Sequence, residues 1–214
     1  MKYFAQKIGK NEGEAVFYLQ DPSDEIQPER KPPVLVIVPG GAYMWTSDRE
    51  GEPVAAEYFS RGFSCVVVKY ATEGRKFFKE NTNPEKIPCS VFPNPLLELA
   101  QVMILLRKHA EEWKIDADRI AVAGFSAGGN LAGQLSVYWN TDWLTEQPVE
   151  NSLEYAQQLR KYKVPFELHI YQNGEHGCAL GDERTDSLPD HSQINMQAAT
   201  WVNLSAGWLK QIFS

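Results

Sequence analysis

Val34-Leu35-Val36-Ile37-Val38 is an unbroken apolar run in which four of the five side chains are β-branched. A strand with one face in water alternates apolar and polar residues; a strand with no polar face has to be covered on both sides. Cys65-Val66-Val67-Val68 repeats that requirement. Arg119-Ile120-Ala121-Val122-Ala123 carries it more weakly, and Phe166 to Tyr171 gives a fourth candidate strand. Strands of this kind belong to parallel sheets, whose crossover connections supply the covering helices. Ahead of them, Lys2 to Ile8 and Ala15 to Leu19 bracket Gly9-Lys10-Asn11-Glu12-Gly13 and predict an antiparallel hairpin. A polar surface loop from Asp21 to Pro33 follows.

The segments between the strands read as helices. Pro53 to Arg61 is one. Asn94 as cap and Pro95 at the first helical position open a longer one. Leu96, Leu99, Met103, Leu106 and Ala110 then recur at intervals of three and four, which gives that helix an apolar face. Trp201, Leu204, Trp208 and Ile212 predict the same for a C-terminal helix. Asn130 to Trp139 and Ser152 to Lys161 are both helical in pattern, with no strand-like run between them. Parallel strands are joined by crossovers of one helix each as a rule. A strand is therefore absent between the Ile120 and Phe166 strands, or one of the two helices is not a crossover. No repeat or linker interrupts the pattern, so a single domain over residues 1–214 is the expectation.

Composition narrows the function. Of 214 residues 43% are apolar and 23% charged, ordinary values for a chain with a sizeable core. Twenty-one basic residues against 28 acidic ones leave a net charge of −7, the wrong sign for a nucleic-acid partner. No apolar run approaches the ~20 residues that span a bilayer, and Met1 to Lys10 lacks the pattern of a signal peptide. Cys65, inside a strand, reads as a buried thiol, while Cys89 and Cys178 sit in loops without metal-site spacing. Asp116 and Asp118 read as turn residues, and Asp182, Glu183 and Asp186 as a solvated acidic loop. The expectation is a reduced cytoplasmic protein with no metal, no cofactor and no membrane partner.

The chemistry lies in Gly124-Phe125-Ser126-Ala127-Gly128, a Gly-x-Ser-x-Gly pattern with a strand before it and a helix after it. Such a turn lifts a serine hydroxyl above the sheet's C-terminal edge, where the helix N-terminus favours developing negative charge. Pro39-Gly40-Gly41-Ala42-Tyr43 directly follows the Val34 strand. A backbone N–H from that loop, at Gly41 or Ala42, together with the N–H of Ala127, would form an oxyanion hole. A serine hydroxyl needs a general base. His176, in the loop Asn173-Gly174-Glu175-His176-Gly177 after the last candidate strand, is the best placed. His191 is the runner-up, whereas His169 falls in a predicted strand and His109 on a helix.

These segments, with Arg49-Glu50-Gly51-Glu52-Pro53 and Pro148-Val149-Glu150-Asn151-Ser152, make the chain resemble the α/β-hydrolase serine esterases, in particular the acetyl-xylan-esterase-like and esterase/lipase branch. The resemblance runs from about residue 30 to the C-terminus. It implies an α/β-hydrolase fold: a mostly parallel sheet with helices on both faces. It also implies hydrolysis of small carboxylic esters, often acetylated sugars, by Ser126 as nucleophile and His176 as base, without a cofactor. The chain departs from that group in the strand and loop that carry the acid of the triad. The missing strand and the missing acid are one absence, as though an internal block around residues 140–150 had been deleted and the sheet had lost one or more strands after the nucleophile helix.

The chain order serine, acid, histidine leaves Asp142, Glu146, Glu150, Glu154, Glu167 and Glu175 as carboxylates. Asp142 and Glu146 lie in the shortened junction, and Asp142 is the nominal acid. Without an orienting carboxylate, activity falls by about four orders of magnitude in a serine-protease triad, so weak esterase activity is expected if none substitutes. The alternatives are a catalytically impaired hydrolase-like binding module and a peptidase of the related branch. Loss of a strand also exposes sheet edges, which predicts a homo-oligomer, with exchange of C-terminal segments as one route to it.

Overall fold

The computed structural model describes residues 1–23, 25, 28–74, 89–138, 159–161, 163–169, 171 and 173–214. Five strands form one sheet: β1 (Lys2–Ile8), β2 (Gly13–Leu19), β3 (Val34–Val38), β4 (Ser64–Lys69) and β5 (Ile120–Gly124), in the order β1-β2-β4-β3-β5. The sheet is mixed. The hairpin forms as its turn residues require, and β2 continues antiparallel onto β4. β4, β3 and β5 then run parallel, with Val36 opposite both Val66 and Val122. The fold is a shortened α/β-hydrolase fold.

Alternate residues of each strand face opposite sides, and each side has its own core. Val34, Val36, Val38, Val66, Val68 and Phe17 meet α2 (Asn94–Lys108) and Leu131 of α4 (Ala127–Tyr138). Leu35, Ile37, Cys65 and Val67 meet α1 (Glu52–Ser60) and α5 (Trp201–Ile212). A short helix, α3 (Ala110–Trp113), ends in left-handed Lys114 and returns the chain to β5. The double-sided burial demanded by the Val34 run is thus met by helices on both faces.

Several local expectations are corrected. α2 begins one residue early, with Pro93 at the cap position and no side-chain cap hydrogen bond, so Asn94 is inside the helix. The C-terminal helix is present, but its buried stripe is Val202, Ala206 and Leu209, while Leu204 and Ile212 are 41% and 46% exposed. The segment from Phe166 to Tyr171 forms no strand among its described residues, and Val164 and Leu168 beside it are exposed. β5 consequently has a ladder with β3 only, among the described residues, and its side chains are half-buried where those of β3 are fully buried. Of the helix expected from Ser152 to Lys161, residues 159–161 are described and are helical. Asp116 is a turn residue as expected: it accepts the Asp118 N–H at 2.9 Å and pairs with Arg119. No helix among the described residues is long and apolar enough to cross a membrane.

Candidate active site

The C-terminal ends of β5 and β3 bring two strained turns side by side. After β5 the chain passes through Phe125 to Ser126 and enters α4 at Ala127. Ser126 has φ of 50°, a left-handed conformation that costs a non-glycine residue on the order of 1 kcal/mol or more. Such strain persists only where the surroundings over-determine it. Here the Phe125 N–H donates to the Val38 carbonyl at 3.0 Å and the Gly128 N–H to the Phe125 carbonyl at 2.7 Å. The flanking positions have no room for side chains. A Cβ on Gly124 would lie 2.3 Å from the Gly128 carbonyl oxygen, and one on Gly128 would lie 2.0 Å from that of Val38. That close approach is the physical reason for glycine on either side of the serine.

The Pro39–Tyr43 loop beyond β3 holds two successive left-handed residues, Ala42 (φ 53°) and Tyr43 (φ 60°). The Gly41 carbonyl accepts from the N–H groups of Met44 and Trp45, and the Gly40 carbonyl from that of Ser47. Tyr70 Oη donates to the Pro39 carbonyl at 3.0 Å. Tyr43 Oη donates to Asn130 Oδ1 at 2.8 Å, one turn along α4 from the serine. Burial pushes the Tyr43 phenol up to about 12, so it is a donor at neutral pH. The N–H groups of Gly41, Ala42 and Ala127, expected to face an oxyanion, have no hydrogen-bond partner among the described residues.

His176 Nε2 lies 2.8 Å from Ser126 Oγ, and both residues are exposed to solvent. The histidine loop is anchored from behind. Ala179 and Leu180 are buried, Trp201 Nε1 donates to the Ala179 carbonyl at 2.9 Å, and Thr185 Oγ1 donates to the Cys178 carbonyl at 3.1 Å. Trp201 also meets Phe125 edge-on at 5.7 Å, so α5 supports both the elbow and the histidine loop. A hydroxyl hydrogen-bonded to an imidazole can lose its proton to that imidazole as it attacks a carbonyl.

The other histidines stand apart. His109 stacks on Trp113 at 4.8 Å, and His191 pairs with Asp186 on the surface. His169 is exposed beside Glu167, not within a strand. Asp142, the nominal acid, lies outside the described residues, as do Glu146, Glu150 and Glu154. Among the described residues no carboxylate hydrogen-bonds His176, so neither Glu167 nor Glu175 takes that part. Nor do the described residues hold any cluster able to bind a metal ion. Burial pushes the Cys178 thiol up, which removes it as a rival nucleophile. Sequence reasoning noticed Arg49 and Glu50 without giving them a part, yet Glu50 is 3% exposed and its Oε2 accepts the Gly40 N–H at 2.8 Å. In a turn where Asp48, Arg49 and Glu50 are all charged, the sequence carries no signal that singles out the buried one.

The chain is 23% identical to endo-1,4-beta-xylanase B of Butyrivibrio fibrisolvens over 221 residues, covering 70% of this chain and 33% of that protein. That alignment is longer than the chain, so the relative carries inserted residues that the chain lacks. Identity to esterase LipQ of Mycobacterium tuberculosis is 27% over 135 residues, or 63% of this chain and 28% of that protein. The chain thus spans about a third or less of the length of these curated relatives. The solved structure of MGS-M1, an alpha/beta hydrolase enzyme from a Medee basin deep-sea metagenome library, superposes with a TM-score of 0.79 at 26% identity, covering 98% of both chains. The BD-FAE family profile matches residues 24–172, which include β3, the Gly40–Tyr43 loop and the Ser126 elbow. By that match over more than half of its length, the chain belongs to the BD-FAE family.

Proposed function

We propose that the protein is a serine-dependent carboxylic ester hydrolase. The observation that carries the reading is the 2.8 Å contact between His176 Nε2 and Ser126 Oγ on a left-handed elbow. Ser126 Oγ attacks the acyl carbon while His176 Nε2 takes the hydroxyl proton. The carbonyl oxygen becomes an oxyanion that accepts hydrogen bonds from the N–H groups of Ala127 and of Gly41 or Ala42. His176 then gives its proton to the departing alkoxide, leaving an acyl-serine. Water, deprotonated by His176, attacks the acyl-serine; the bond between the acyl carbon and Ser126 Oγ breaks, His176 returns the proton to Ser126 Oγ, and the carboxylic acid leaves. Asp142 is the carboxylate put forward to orient the imidazole.

The name of the LipQ relative supports ester hydrolysis, and small esters, acetylated sugars among them, are the substrates put forward. Hydrolysis of p-nitrophenyl acetate, together with labelling by a fluorophosphonate probe, tests the reading. Turnover and labelling are both expected to vanish in Ser126→Ala. Turnover that survives this substitution would refute it. If Asp142 serves as the acid, Asp142→Asn lowers kcat by about 10⁴-fold, as loss of a triad acid does.

A further inference from the structure

We propose that Arg49 and Glu50 are positioning residues of this centre, a clasp that ties the oxyanion loop to the histidine loop; the inference rests on the hydrolase reading above. Both residues belong to the 3-10 turn Asp48–Glu50 between β3 and α1. Glu50 reaches back ten residues, and its buried Oε2 accepts the Gly40 N–H at 2.8 Å. Arg49 reaches forward across the site, and its Nη1 donates to the carbonyl of Gly177, the residue after His176, at 2.6 Å. The two loops approach the clasp without side chains of their own. A Cβ on Gly40 would lie 2.8 Å from Ser126 Cβ and 2.9 Å from Glu50 Oε2, so carboxylate and nucleophile flank the same bare backbone. A Cβ on Gly177 would lie 3.5 Å from both Arg49 Nη2 and Glu50 Oε1.

The bond to Glu50 has a directional consequence. It occupies the Gly40 N–H and fixes that peptide plane, at the start of the loop that carries the Gly41 and Ala42 N–H groups. The bond from Arg49 fixes the Gly177–Cys178 peptide plane, one residue beyond His176. Neither residue touches a reacting atom. Each sets the position of a group that does, and misplacing such groups by about 1 Å costs on the order of 10²-fold in rate.

The experiment compares Glu50→Ala, Glu50→Gln, Arg49→Ala and Arg49→Lys with wild type in two arms. In the first, kcat and KM are measured on p-nitrophenyl acetate. Glu50→Ala is expected to lower kcat by about 10- to 100-fold with KM within about twofold, because the lost contacts orient the transition state. Glu50→Gln keeps an acceptor oxygen for Gly40 and should recover most of the rate, and Arg49→Lys part of it. Loss that the conservative variants do not rescue, or an unchanged kcat in the alanine variants, overturns the proposal. The second arm reads amide hydrogen exchange, which needs no activity. Arg49→Ala and Glu50→Ala should speed exchange in the peptides around Gly40–Trp45 and Gly174–Leu180 together, while β3 and β4 stay protected. Exchange that rises around residues 48–50 alone overturns the clasp. A wild type without turnover or labelling refutes the hydrolase reading, and the exchange arm still decides the clasp. If an alanine variant does not fold, the glutamine and lysine variants carry both arms.

Discussion

Glu98 offers the most exposed test of the energetics. It sits on the inner face of α2, 1% exposed, beneath the β1–β2 turn; a Cβ on Gly9 or Gly13 would run into it. One carboxyl oxygen, Oε2, accepts the Ala71 N–H at 2.7 Å. The other, Oε1, is buried with no partner among the described residues. Burial raises its pKa above the ordinary 4.5, against a smaller lowering by the Ala71 bond. The folded state therefore holds a proton that the unfolded state releases. The stability this contributes is fully present below the ordinary carboxyl range and is lost as pH rises through the raised value.

Glu98→Gln removes the ionisation and keeps an oxygen for Ala71. At higher pH the wild type carries a buried carboxylate charge with one oxygen unpartnered among the described residues, where the variant carries a neutral amide. The extra desolvation of the charged form costs about 1–3 kcal/mol. The two proteins should therefore be nearly equal near about pH 5, and the Gln variant more stable by about 1–3 kcal/mol near about pH 8. With a urea slope of about 3 kcal/mol/M, this is a midpoint shift of about 0.3–1 M, readable from the fluorescence of the six tryptophans. Other titrating groups are common to both proteins and cancel. A stability gap that is the same at both pH values, or a Gln variant less stable at the higher one, refutes the reasoning.

Two further substitutions follow from the elbow and its support. Gly128→Ala would force a methyl to 2.0 Å from the Val38 carbonyl oxygen; urea denaturation should show a loss of about 3 kcal/mol, the upper end of ordinary overpacking. Trp201→Phe keeps the ring against Phe125 but loses the 2.9 Å bond to the Ala179 carbonyl behind the histidine loop. A stability loss of about 1 kcal/mol is expected in the same assay, with a larger fractional fall in kcat.

The strands and the Ser–His pair were legible because their signals are local. The Val34 run states its own burial, and the elbow motif states its own turn. His176 was legible from chain order, being presented after the last candidate strand. That strand itself did not form among its described residues. Phe166–Tyr171 has the composition of a strand, but a strand needs a partner, and pairing is a property of the whole sheet. Similarly, the C-terminal helix was correctly placed, and its face was half right: Trp201 and Trp208 pack against the core, whereas Leu204 and Ile212 are exposed and the most buried positions are Val202, Ala206 and Leu209. The clasp was illegible for a different reason. Arg49 bonds a residue 128 positions away and Glu50 one ten positions back, and no period or pattern encodes such contacts.

Ser126 is carried by β5, whose side chains are half-buried, while β3 beside it and β4 beyond that are enclosed. Segments with less buried surface open at lower free energy than the body of the fold. The nucleophile is thus mounted on a strand less enclosed than its neighbour β3, and activity is expected to be lost on warming before the tryptophan signal reports melting. On that expectation heat sensitivity of function and heat sensitivity of structure are separate properties, and stabilising the core would lower the second without lowering the first.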